Sequence, residues 1–244
     1  LPFALKPISM RLKRCRNPPT VPLIVRHLLF GLQLTLLVGS AVLFAGAPDS
    51  WDFELIGKRA VQLYGPSDEA QRRLSDWQRL LKEQGDTDEA EQLKAVNLFF
   101  NLRLRFRDDR ELWGVEDYWA TPVEALYRGA GDCEEFAIAK YFSLRQLGVP
   151  SEKLRITYVK AVRLNQAHMV LTYYPHPSAT PLVLDNLIDA IEPANQRTDL
   201  VPVYAFNAEG LWLPGSVGGK QVGDSKRLSR WQDLLRKMRA EGFP

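Results

Sequence analysis

The chain has 244 residues, 45% of them hydrophobic and 25% charged, which is ordinary for a globular protein of one large or two small domains. Its formal charge of +3 is concentrated at one end: residues 1–47 carry six basic side chains (Lys6, Arg11, Lys13, Arg14, Arg16, Arg26) and no acidic one. Without them 26 basic residues face 29 acidic ones, a net charge of −3, and a nucleic-acid-binding reading loses the basic footprint it needs.

The first 47 residues read as a secretory signal. The basic stretch is followed by the apolar run "LLFGLQLTLLVGSAVLF" (28–44) and the small residues "AGA" (45–47). The rival reading is an uncleaved membrane anchor, since a 17-residue run sits near the lower length limit for a span. Gln33, Thr35 and Ser40 weaken an anchor, and the small residues favour cleavage. Both readings predict an exported protein, residues 48–244, facing the periplasm. Cleavage would remove Cys15 and His27 and leave one cysteine, Cys133, with two histidines, His168 and His176. A lone cysteine in an oxidising compartment has no internal disulfide partner.

The exported part divides into a helical lobe (about 50–150), a strand-rich lobe (about 151–215) and a C-terminal helix (about 225–241). No internal repeat or low-complexity run interrupts it. Leu74, Trp77, Leu80 and Leu81 form a helical stripe in "DEAQRRLSDWQRLLKEQ" (68–84), which Gly85 breaks. A second helix restarts with Asp86 and Glu89 as a capping box. A loop then carries Asp108, Asp109, Glu116 and Asp117 among Trp113, Tyr118 and Trp119, aromatics that suit either a substrate groove or a core. Thr121-Pro122 with Glu124 reads as a cap, a first-position proline and a capping-box acid, opening a short helix that stops near Gly129–Gly131. The helix of about 132–147 follows, with Phe136, Ala139, Leu144 and Leu147 inward and Gly148 and Pro150 ending it. "LRITYVKAV" (154–162), "AHMVLTYYP" (167–175) and "PLVLDNL" (181–187) read as consecutive antiparallel strands. Leu228, Trp231, Leu234 and Met238 mark the last helix. Helices followed by strands predict an α+β domain.

The chemistry centres on "GDCEEF", where Cys133 opens a helix between Asp132 and the pair Glu134 and Glu135. A nucleophilic cysteine needs a base and a group to orient that base. His168, on a strand with Val170 and Thr172 on its face, is the better candidate; His176 lies between two prolines in a turn. Asp185, at the end of the next strand, can stand opposite His168, with Asn186, Asp189 and Glu192 as competing orienters. Two histidines and one cysteine without close spacing argue against zinc. A plain reading is also available: a structural thiol, with Asp132 as a helix N-cap and Glu134 and Glu135 as favourable first-turn charges.

"GDCEEFAIAKY", the histidine of "AHMVL", "LVLDNL" and the preceding "WGVEDYWATPVEAL" resemble the bacterial transglutaminase-like cysteine proteinases, more narrowly their periplasmic, adhesin-releasing members. The resemblance covers about residues 50–215, with its specific motifs in 112–187. It implies a papain-like/transglutaminase-like α+β fold and a Cys133, His168, Asp185 triad. It implies Ca²⁺ dependence, with Asp132 and Glu134 carried over as ligands; Asp117 is added from its place in the nearby loop. It implies a substrate too: a large adhesin retained in the outer membrane and cut at a dialanine-containing site in its N-terminal region, which disperses biofilm. The implied partner is the periplasmic domain of an inner-membrane receptor that responds to cyclic di-GMP. Two other functions use the same residues: transglutaminase-type acyl transfer to an amine, and a non-catalytic calcium-dependent docking module.

Overall fold

The computed structural model describes residues 51–214, 220–225 and 228–244, so the leader expected at 1–47 lies outside the described residues. Three helices come first: α1 (Phe53–Tyr64), α2 (Asp68–Gln84) and α3 (Glu89–Arg103). Each begins at a side chain that accepts from an otherwise unpartnered N–H: Asp52 from Leu55 (2.9 Å), Ser67 from Ala70 (3.3 Å) and Asp88 from Glu91 (2.9 Å). The third cap corrects the expected Asp86/Glu89 box by two residues. Thr87 turns its hydroxyl back onto the Gln84 carbonyl (3.0 Å), so the chain stays in a turn past Asp86 and Asp88 inherits the cap.

Strand β1 (Arg105–Phe106) and helix α4 (Asp109–Trp113) follow, then α5 (Pro122–Arg128), β2 (Ala130–Gly131) and α6 (Cys133–Gln146). α4 sits where a loop was expected. α5 opens with the predicted box: Thr121 Oγ1 accepts from Glu124 N (3.0 Å) and Glu124 Oε2 from Thr121 N (2.8 Å). It closes at Gly129, whose φ of 66° is left-handed. β1 and β2 pair in parallel, Arg105 with Ala130 and Phe106 with Gly131.

The remaining strands are β3 (Leu154–Ala161), β4 (Gln166–Tyr173), β5 (Leu182–Leu184), β6 (Glu192–Pro193), β7 (Leu200–Phe206), β8 (Leu211–Leu213) and β9 (Lys220–Gly223), followed by helix α7 (Ser229–Ala240). They form one antiparallel sheet in the order β6-β5-β4-β3-β7-β8-β9. Alternation divides the central strands between two faces. Met169, Leu171 and Tyr173 join Ile156, Leu184 and Phe206 in the main core, with Phe136, Ala139 and Leu144 of α6. Val159, Val170 and Val183 form a second cluster with Ala194 and Leu200. Trp77 of α2, fully buried, donates to Ser143 Oγ of α6 (2.8 Å), and burying a large apolar side chain of this kind contributes roughly 1.5–3 kcal/mol. α7 buries Trp231, Leu234 and Met238, and its Lys237 Nζ bonds both Glu124 Oε2 and the Trp119 carbonyl at 2.7 Å. No described helix is long and apolar enough to cross a membrane.

Candidate active site

Cys133 is the first residue of α6, delivered there by a tightly packed turn. Gly131 cannot carry a side chain, because a Cβ would lie 2.6 Å from Glu135 Cβ. That close approach lets Glu135 fold back, accepting from Asp132 N with Oε2 (2.9 Å) and from Ala120 N with Oε1 (2.7 Å). Glu135 thereby joins the segment before α5 to the start of α6. The Cys133 thiol donates to Glu134 Oε2 (3.1 Å), and the backbone N–H of Met169, the residue after His168, donates to its sulfur. Burial, then the Glu134 and Asp132 charges, push the thiol well above its ordinary pKa, and the Met169 N–H only partly offsets this.

Around that thiol the protein gathers five carboxylates. Potential ligand atoms of Asp109, Asp132 and Glu135, of Asp109, Asp117 and Glu134, and of Asp132, Cys133 and Glu134 lie within 4.8 Å of one another in each set. Burial and contact with Asp132 push Glu134 up to about 9. Burial raises Asp109 to about 6, aided by the charges of Asp132, Asp117 and Asp108 and opposed by the Tyr118 N–H. Glu135 is buried and also raised. Asp109 Oδ1 and Asp132 Oδ1 are buried with no hydrogen-bond partner. Two orphaned oxygens in an all-carboxylate cage fit a hard divalent cation such as Ca²⁺, whose ligands are oxygens. Asp117 is the most exposed member and also pairs with Arg230 (2.8 Å).

The sheet supplies the other half. His168, 4% exposed, sits on β4 opposite Val159 of β3. Leu171 pairs with Leu184, so Asp185 emerges one residue past the end of β5, within reach of the histidine. Asp185 Oδ1 meets His168 Nε2 at 2.8 Å and accepts from Leu187 N at 3.1 Å, while Oδ2 accepts from Arg197 Nη2 at 2.7 Å. Burial alone would raise the Asp185 carboxyl, yet His168, Arg197 and the Leu187 N–H outweigh it and hold the pKa at about 2. Asn101 of α3 donates to the Asp185 carbonyl and to Asp189 Oδ1, both at 2.9 Å, fixing the loop from behind. Lys140 of α6, fully buried, has no hydrogen-bond partner for Nζ; burial lowers it to about 7 against the pull of Asp185 and Asp189.

The structure thus brings together Cys133, Asp132, Glu134 and Asp117, and separately joins His168 to Asp185, the two groups meeting where Met169 touches the thiol. Asp189 is engaged by Asn101 instead of the histidine, and His176 is exposed, bonded to Ser178 Oγ (3.1 Å). Trp119 stacks on Phe206 (5.4 Å) against the core, while Trp113 packs on Tyr118 (4.5 Å). Sequence reasoning missed Asp109, Glu135 and Arg197 as members of the site. Asp132 and Glu135 have capping-box spacing, a usable signal; Asp109 and Arg197 arrive by tertiary folding and have none.

A family model described as bacterial transglutaminase-like cysteine proteinase BTLCP matches residues 68–204. A structure of LapG from Legionella pneumophila is 43% identical, with a TM-score of 0.65 over 75% of this chain and 97% of that chain. An EGTA-treated form of the same protein is 43% identical, with a TM-score of 0.66 and the same coverage. A calcium-bound form is 44% identical, with a TM-score of 0.66 over 76% of this chain and 98% of that chain. Comparison with curated proteins gives no match.

Proposed function

The chain belongs to the bacterial transglutaminase-like cysteine proteinases and is a cysteine protease; from that premise we propose that Cys133, His168 and Asp185 are its triad and that it is a calcium-dependent endopeptidase. The observation that carries this reading is the buried His168–Asp185 pair on the strand whose next residue, Met169, touches the thiol at the start of α6.

His168 engages Asp185 through Nε2, which leaves Nδ1 to exchange a proton with Cys133. The thiol proton passes to Nδ1 as Sγ attacks the scissile carbonyl carbon. Asp185 then faces an imidazolium across a 2.8 Å contact in a buried site, where such a charge-assisted bond is strong. The carbonyl oxygen gains negative charge beside the Cys133 N–H, one of the helix amides without an internal partner. Collapse breaks the C–N bond, and Nδ1 returns its proton to the leaving amine. A water molecule then hydrolyses the thioester, with His168 taking its proton and giving it back to sulfur.

The thiol donates to Glu134, and burial with the neighbouring carboxylates favours its protonated form. Asp132, Glu134, Asp117 and Asp109 would hold Ca²⁺, which supplies positive charge that offsets the repulsion opposing the thiolate. This is the physical reason for placing an activating helix N-terminus and inhibiting carboxylates at one sulfur. The calcium-bound and EGTA-treated LapG structures support it by similarity.

The substrate we propose is a large outer-membrane-retained adhesin, cut at a dialanine-type site in its N-terminal region. The protein acts in the periplasm and promotes biofilm dispersal, restrained by the periplasmic domain of an inner-membrane receptor for cyclic di-GMP. The test mixes the purified protein and Cys133→Ala with an N-terminal fragment of such an adhesin from the same genome, with Ca²⁺ or chelator, followed by gel and N-terminal sequencing. A new N-terminus that requires both Cys133 and Ca²⁺ is expected. Cleavage that survives chelation would return Asp132 and Glu134 to a capping role. An amide-linked product would indicate acyl transfer, and binding without cleavage a docking module.

A further inference from the structure

The His168 contact uses one oxygen of Asp185, and the other belongs to Arg197. Asp185 is 1% exposed and Arg197 4%, so neither side chain relies on bulk water. Arg197 presents Nη2 to Asp185 Oδ2 (2.7 Å), and Asp199 accepts from Nε (3.0 Å) and from the same Nη2 (2.9 Å), leaving Nη1 buried without a hydrogen-bond partner. Asp199 is anchored in turn, its carbonyl accepting from Val162 N (2.8 Å) just past the end of β3. Among the described residues Arg197 is the one group with a hydrogen bond to Oδ2. Leu187 N shares Oδ1 with the histidine, and Lys140 faces the carboxylate without bonding either oxygen.

We infer that Arg197 is a positioning residue for the triad: its guanidinium, held by Asp199, fixes the plane of the Asp185 carboxylate so that Oδ1 stays on His168 Nε2. A carboxylate turns about its last bond unless both oxygens are occupied, and an unpartnered oxygen in a buried site is costly. Without Arg197, Oδ2 would turn toward Lys140 or recruit water, and the bond that sets the histidine tautomer would be divided. A planar fork can hold two carboxylates in register, whereas a lysine supplies a point charge only.

This inference rests on the triad reading above, so the experiment separates the two. Cleavage rates of Arg197→Met and Arg197→Lys are compared with those of His168→Ala and Asp185→Ala. In parallel, proton NMR follows the downfield N–H resonance of His168 that a hydrogen bond to Asp185 produces. The expected result is a kcat lowered on the order of 10- to 100-fold in Arg197→Met, the usual scale for groups that orient a primary ligand. KM should be little changed, the resonance lost, and both partly recovered in Arg197→Lys. Should Arg197→Met fail to fold, the intermediate kcat and weakened resonance of Arg197→Lys carry the test. Wild-type kcat and resonance in both variants, or a loss confined to KM, would overturn the inference while leaving the triad intact. Cleavage retained in His168→Ala or Asp185→Ala would overturn the triad itself.

Discussion

The two halves of the site solve the problem of buried charge in opposite ways. On the sheet side, His168, Asp185, Arg197 and Asp199 form an alternating chain in which both Asp185 oxygens have partners, Arg197 bonds through Nε and Nη2 while Nη1 is buried without one, and Asp185 is held as a carboxylate at about 2. On the helix side, five carboxylates converge with no described cation bonded to Asp109, Asp132, Glu134 or Glu135, two oxygens are orphaned, and Glu134 is pushed up to about 9. The first half satisfies its carboxylate as folded. The second leaves carboxylate oxygens unpaired, a donor set that suits a hard divalent cation.

The largest effect should come from breaking the satisfied half. Asp185→Asn leaves the shape but removes the charge that fixes the histidine tautomer. Triads that lose this carboxylate typically slow about 10⁴-fold, and kcat measured at saturating Ca²⁺ should fall on that order. A drop of less than tenfold would remove Asp185 from the triad. On the unsatisfied half, Ca²⁺ should raise the thermal unfolding midpoint, by an amount equivalent to about 2.7 kcal/mol at 100 times Kd. Asp109→Asn should shrink that rise while stabilising the cation-free protein. Equal Ca²⁺-induced shifts in both proteins would exclude Asp109 as a ligand.

Proton linkage sharpens the contrast. Asp185 has a folded pKa depressed from 3.8 to about 2, so its stabilisation is fully present above 3.8 and is lost as pH falls toward 2. Chemical denaturation of the wild type and Asp185→Asn should show a stability difference that shrinks by about 2 kcal/mol over that window; a pH-independent difference would contradict the pairing. The smallest effect is a control outside both halves. Ser67→Ala removes the cap of α2 and should cost about 1 kcal/mol of stability. Cleavage should be unchanged, and a change would mean that α2 communicates with the site.

How much of this was legible in the sequence is clearest in three similar patterns. Thr121-x-x-Glu124 reads as a capping box and is one, because proline at the first helical position leaves one register. Asp86-x-x-Glu89 reads the same way, yet "DTDEAE" offers two registers, and the Thr87 hydroxyl decides for Asp88. Asp132-x-x-Glu135 reads as an N-cap followed by first-turn charges, and the structure joins the two into a capping box. The strands around His168 and Asp185 were legible from their β-branched and aromatic runs, since alternation is a local property. Asp109 and Arg197 were not, because a residue 24 positions before the cysteine and another 12 past the aspartate enter the site through packing that no spacing rule encodes.

Glu135 carries a consequence for what its position can tolerate. Its two oxygens accept from two different backbone N–H groups, one on each side of the short helix α5. A glutamine has the same size but one acceptor, and its amide would confront an N–H with another N–H. The position therefore selects for a count of lone pairs, and the negative charge accompanies that count. Part of the acidity surrounding the cysteine is inherited from architecture, through a pair of acceptors that the fold itself cannot give up.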